Sequence, residues 1–144
     1  SFSLTEYFLG DTMKLKLYLV TFFAFLGIDS LWLGLVAPSF YKSQIGYIMA
    51  ENPNFLAAGL FYLLFIFGMV VFIVEPGVRE QTLMQAVARG ALFGLVTYAT
   101  YDLTNLATLQ GWPILVTVVD LIWGTVLSAA VTLVSVWVGK RFIK

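Results

Sequence analysis

The sequence contains no cysteine and no histidine, and charged residues make up only 11% of it. Without cysteine there is no disulfide or thiol chemistry, and without histidine the commonest metal ligand, haem ligand and general base is missing. Any acid–base work therefore falls to carboxylates or tyrosines, and neither a metal nor a cofactor is expected. Eight basic residues balance eight acidic ones, which argues against nucleic acid as a partner. Apolar residues are what the chain has in abundance. Of its 144 residues 60% are hydrophobic, and the mean hydropathy of +0.93 lies outside the range of soluble globular domains. This is the composition of an integral membrane protein, with the lipid bilayer as its first partner.

Residues 1–12 (SFSLTEYFLGDT) lack the basic stretch and apolar run of a signal peptide, and read as an N-terminal extension or expression remnant. Met13, with Lys14 and Lys16 after it, resembles a natural start. Residues 13–144 form the expected membrane domain, with spans at about 17–37, 55–74, 87–109 and 114–138. Each is long enough for a hydrocarbon layer of ~30 Å at ~1.5 Å per residue.

Punctuation marks the limits of the spans. The first is expected to end at Pro38, and Glu75-Pro76-Gly77 to stop the second. Thr82-Leu-Met-Gln85 fits a capping box that starts the third helix near Leu83, and Gln110-Gly-Trp-Pro113 is a tight turn. Between the first two spans, Tyr41, Ile45, Ile48 and Met49 have the spacing of a short interfacial helix, and Asn52-Pro53 reads as the next N-cap. The second span is polar only at Tyr62, so it is expected to face lipid. Gly90 and Gly94 give the third a small-residue face for a neighbouring helix or a second copy.

The fold class is thus all-α, four transmembrane helices in an up-down bundle. Lys14, Lys16, Arg79, Arg89, Lys140, Arg141 and Lys144 fall on one side and Lys42 alone on the other, which places both termini in the cytoplasm. Tyr41, Tyr47 and Trp112 then belong to the outer aromatic belt.

The chemistry is concentrated at 97–105, Thr-Tyr-Ala-Thr-Tyr-Asp-Leu-Thr-Asn, where Tyr98, Asp102 and Asn105 make one polar stripe inside a span. A mid-membrane Asp costs roughly 3 kcal/mol on translocon scales, so Asp102 needs compensation. Asp29 on the first span and Asp120 on the fourth fall at the same depth, about 10–13 Å below the outer surface by residue count. Three acids at one level can share a pocket if their helices face inward. No basic residue lies within the spans at that level, so the three cannot all stay ionised in a dry site. Trp32, Trp123, Tyr98 and Tyr101 stand around them, and rings beside carboxylates suit an organic cation. The candidate ligand- or proton-binding residues are therefore Asp29, Asp102, Asp120, Tyr98, Asn105, Trp32, Trp123 and Tyr101.

Each has a plainer role available, the acids as hydrogen-bonding partners that fix helix register and the tryptophans as packing or belt residues. Asp29-Ser-Leu-Trp32 and Asp120-Leu-Ile-Trp123 repeat one short pattern, too little to establish duplication.

The run Gly94-Leu-Val-Thr-Tyr-Ala-Thr-Tyr-Asp-Leu-Thr-Asn-Leu-Ala-Thr108, then Gly111-Trp-Pro and Val119-Asp-Leu-Ile-Trp-Gly124, resembles the small bacterial membrane proteins of domain-of-unknown-function family 2177. Met13-Lys14 and Ile28-Asp-Ser-Leu-Trp-Leu-Gly34 are similar to that family as well. The resemblance implies a four-helix protein of the bacterial inner membrane and brings no activity with it. Three function classes follow. One is a pocket that binds or relays a cation, proton or small cationic solute, in a homo-oligomer if it transports. The second is a non-catalytic subunit of a larger membrane complex. The third is a lipid-modifying enzyme using paired carboxylates, for which no nucleophile motif speaks.

Overall fold

Backbone groups in hydrocarbon must find partners within their own segment, and this chain meets the requirement with helices. The computed structural model describes residues 4–143 and is 90% helical, all-α as expected. Residues 1–3 of the expected extension and Lys144 of the basic cluster lie outside the described residues. The described residues form five helices: α1 Leu4–Leu35, α2 Ala37–Ile45, α3 Phe55–Glu80, α4 Leu83–Thr108 and α5 Ile114–Ile143. A 3-10 turn, Gly46–Ile48, follows α2. Among the described residues three segments, Gly10–Leu35, Phe55–Glu80 and Ile114–Ile143, are long and apolar enough to cross a membrane. Helix α4 has the length, but Arg89 and the polar run from Thr97 to Asn105 lower its hydropathy.

Several boundaries differ from expectation. Helix α1 stops at Leu35, and Pro38, rather than opening a loop, sits in the first turn of α2, where a missing N–H costs nothing. The cap of α3 is Asn54, whose side chain accepts from the Ala57 N–H, and not Asn52. Pro76 does not stop α3. Val70–Val74 form a π-turn, with the Glu75 N–H bonded to the Val70 carbonyl five residues back, and the helix continues to Glu80. Proline in a regular helix clashes with the carbonyl four residues before it, and the looser ladder just ahead of Pro76 relieves that clash. The capping box at Thr82 and Gln85 forms as expected, with bonds of 3.1 and 3.0 Å.

Cross-helix pairs set the directions. Gly139 lies against Leu17 while Trp123 reaches Asp29, so α1 and α5 are antiparallel. Gly90 lies against Thr132 and Gly124 against Tyr98, so α4 and α5 are too. Gly77 meets Ala86 and Gly68 meets Phe93, which makes α3 antiparallel to α4. The α4–α5 seam is the tightest. A Cβ at Gly90 or Gly94 would overlap Thr132, Ser128 or the Gly124 carbonyl. The small face read from these two glycines is therefore spent within the chain, and is not free for a second copy.

The interior is layered along the bundle. Leu17, Val70, Val74, Val78, Ala86 and Val136 pack at the end nearer the termini. Phe25, Phe65, Ile66, Met69, Leu127 and Val131 fill the middle. Toward the opposite end, where the turn at Gly111 adopts a positive φ of 76°, the core becomes polar.

Candidate functional site

The two Asp-x-x-Trp patterns explain the geometry of the polar layer. An acid and an indole three residues apart sit one above the other on a helix face. On antiparallel helices the tryptophan of one then comes level with the acid of the other. Trp123 Nε1 accordingly donates to Asp29 Oδ1 at 3.3 Å. Trp32 Nε1 donates to the Tyr41 hydroxyl at 3.3 Å, and that hydroxyl donates to Asp120 Oδ1. The indoles stack at the crossing, with centroids 4.6 Å apart and planes within 9°. Asp29 Oδ2 accepts a second bond, from the Tyr62 hydroxyl, at 3.0 Å.

Asp102 is in a different situation. Its side chain is fully buried on the α4–α5 seam and faces Asp120, and neither carboxyl oxygen has a donor among the described residues. The Thr117 hydroxyl, one turn before Asp120, donates to the Asp102 backbone carbonyl at 3.4 Å and accepts from Trp112 Nε1 at 3.1 Å. Two carboxyl groups face to face satisfy each other only through an O–H carried by one of them.

A cavity of about 480 Å³ opens beside this layer, within the range of small-molecule sites. Asp29, Asp120, Trp32, Trp123, Tyr98 and Tyr101 line it, joined by Tyr41, Tyr62, Thr97 and the apolar Leu33, Phe61 and Phe65. The lining holds two carboxylates and no Lys or Arg. Among the described residues no cluster of three or more potential ligands is arranged for a metal ion.

Six of the eight residues singled out from the sequence thus meet around one space. Asp102 stands behind Asp120, one layer away from the cavity. Asn105 pairs with Tyr101, one turn away on α4, and is not part of the lining.

Two residues were missed. Tyr62 lies on the span expected to face lipid, and as its only polar residue it carried a signal that could have been used. Tyr41 was assigned to the outer belt, yet its hydroxyl reaches Asp120. Burial first, and then the bond to Asp120, push its phenol well above the ordinary value, so it remains a donor. Trp112 was assigned to the same belt but is buried, edge-on to Tyr101 at 5.8 Å. Only Tyr47 of the three is exposed, its hydroxyl donating to the Gly111 carbonyl at 2.8 Å.

No curated protein and no solved structure matches the chain. A family model described as "Predicted membrane protein (DUF2177)" matches residues 14–137, so the polar layer, all of α3 and α4 and most of α1 and α5 fall inside it, and the chain belongs to that family of membrane proteins.

Proposed function

We propose that this is a four-span protein of the bacterial inner membrane, with both termini cytoplasmic, whose acid-lined cavity binds a small organic cation in the outer half of the bilayer. The fourth crossing is α4: its 26 residues reach ~39 Å, and it lies antiparallel to α3 and α5. Its polar residues are tolerable at membrane depth because Asp102 is buried on the seam, Tyr98 lines the cavity, and the outward Thr100 and Thr104 donate to carbonyls of their own helix. The excess of Lys and Arg on the termini side supports the orientation.

One observation carries the binding reading: the cavity has two carboxylates in its wall, aromatic rings around them and no cation of its own. Asp29, oriented by two donors, presents its carboxyl group to the cavity as an acceptor for an ammonium N–H. Tyr98 and Tyr101 offer ring surface, worth about 0.5–2 kcal/mol to an ammonium group.

The test is butylammonium binding, by calorimetry, to the protein in lipid nanodiscs. A charge-assisted contact contributes about 1.5–3 kcal/mol, so Asp29→Asn should weaken binding by roughly 10- to 100-fold. Equal affinity of the two proteins would remove the reading, and a saturable signal in neither would leave the chain as an accessory subunit.

A further inference from the structure

We infer that the cavity opens sideways into the bilayer between α3 and α4, and that its ligand is a membrane amphiphile, a single alkyl chain ending in a primary ammonium group. This deepens the cation-binding reading and rests on it.

The window follows from where the two helices touch. At the termini side they are close, Gly77 against Ala86 and Gly68 against the Phe93 ring. Phe65 then bridges them through its ring, 5.3 Å from Phe93 and 6.4 Å from Tyr98. Beyond that bridge, Phe61 of α3 and Tyr101 of α4 both line the cavity while remaining 47% and 56% exposed, and Leu33 of α1, 48% exposed, lines it from the far side of α3. Residues that line an interior space and also face outward mark its mouth. The faces flanking this mouth are those of lipid-exposed helices, with Leu60, Leu64 and Leu103 all outward. A ligand entering there leaves its apolar part among lipid tails and brings only its head to the acids.

The head must be positive because the wall supplies carboxylates and no cation. It should be small and carry N–H groups, because the free lone pairs of Asp29 and Asp120 accept hydrogen bonds, and because the Trp32–Trp123 stack takes up ring surface that a bulky quaternary head would need. The tail must be a chain rather than a ring system, since the opening lies between two packed helices. Thr97, on the α4 side of the mouth, turns its hydroxyl back to the Phe93 carbonyl at 2.8 Å and offers the tail its methyl group.

The experiment compares butylammonium, octylammonium and dodecylammonium in nanodiscs, counting only the binding that Asp29→Asn abolishes, so that simple partitioning into lipid cancels. With a lateral mouth the tail of the bound ligand stays in an apolar medium. Affinity referred to the aqueous concentration should then rise with chain length, by about a hundredfold or more from butyl to dodecyl. Leu64→Trp, at an outward position of α3 that does not line the cavity and lies between Phe61 and Gly68, places an indole across the mouth and should erase that rise while leaving butylammonium binding intact. Butylammonium binding without a gain from the longer chains, or a gain that survives Leu64→Trp, overturns the lateral route and leaves the cation site standing. Binding of none of the three removes both.

Discussion

Gly124 offers the sharpest structural test, because its α-carbon touches the ring that closes the cavity from the α4 side. A Cβ built at Gly124 falls inside the Tyr98 ring, overlapping Cγ and both Cδ atoms. The backbone there is helix in the tight α4–α5 seam, so the ring must move instead, and the free space for it is the cavity. Overpacking of this kind costs about 1–3 kcal/mol. Removing the ring by Tyr98→Ala costs about 3–5 kcal/mol as a large-to-small change, but it also takes away the object with which the new methyl collides. The double variant should therefore be less destabilised than the sum of the two, with a coupling of about 2 kcal/mol. The assay is reversible unfolding of wild type, both single variants and the double variant in mixed micelles, with butylammonium affinity measured in parallel. Gly124→Ala should also lower that affinity about tenfold, since the displaced ring occupies ligand space. Additive stabilities, or unchanged affinity in Gly124→Ala, would refute the reasoning.

Other outcomes follow from single contacts. Gly90→Ala should destabilise by about 1–3 kcal/mol despite its gain in helix propensity, because the methyl meets Thr132; Gly59→Ala, with nothing within 4 Å, should gain about 0.5–1 kcal/mol in the same unfolding assay. Thr82→Ala removes the capping box and should cost about 1 kcal/mol, seen as faster amide exchange in the first turn of α4. Tyr41 has its phenol raised in the folded state, so it stabilises the fold below its unfolded value of 10.0, and the contribution is lost as pH rises through the higher folded value. At about pH 11 the ultraviolet difference spectrum between wild type and Tyr41→Phe should therefore show no phenolate.

Long apolar runs made the helices legible, and residue counting from Lys16, Arg89 and Pro113 puts Asp29, Asp102 and Asp120 at one expected level. It could not rank them. Nothing in the spacing distinguishes Asp29, served by two donors and facing the cavity, from Asp102, which has none and lies on the seam behind Asp120. The role of Gly90 and Gly94 was read correctly as close approach, while the partner helix, α5, depended on packing that one helix's pattern does not contain. Pro76 misled because its usual effect presumes a regular ladder, and the π-turn before it appears only in the backbone. Tyr41 and Tyr62 escaped for a common reason. A hydroxyl at the tip of a long side chain can reach a carboxylate on another helix, and neither periodicity nor depth reports where that tip points.

The most direct measurement is a density map of the protein purified in native lipid, at a resolution that shows ordered ligands. An elongated density running from Asp29 past Tyr98 and out between Phe61 and Tyr101, its head within hydrogen-bond distance of the carboxylate, is the expected result. A cavity filled only by side chains, or by lipid tails with no polar head at Asp29, would contradict a cation site in this layer.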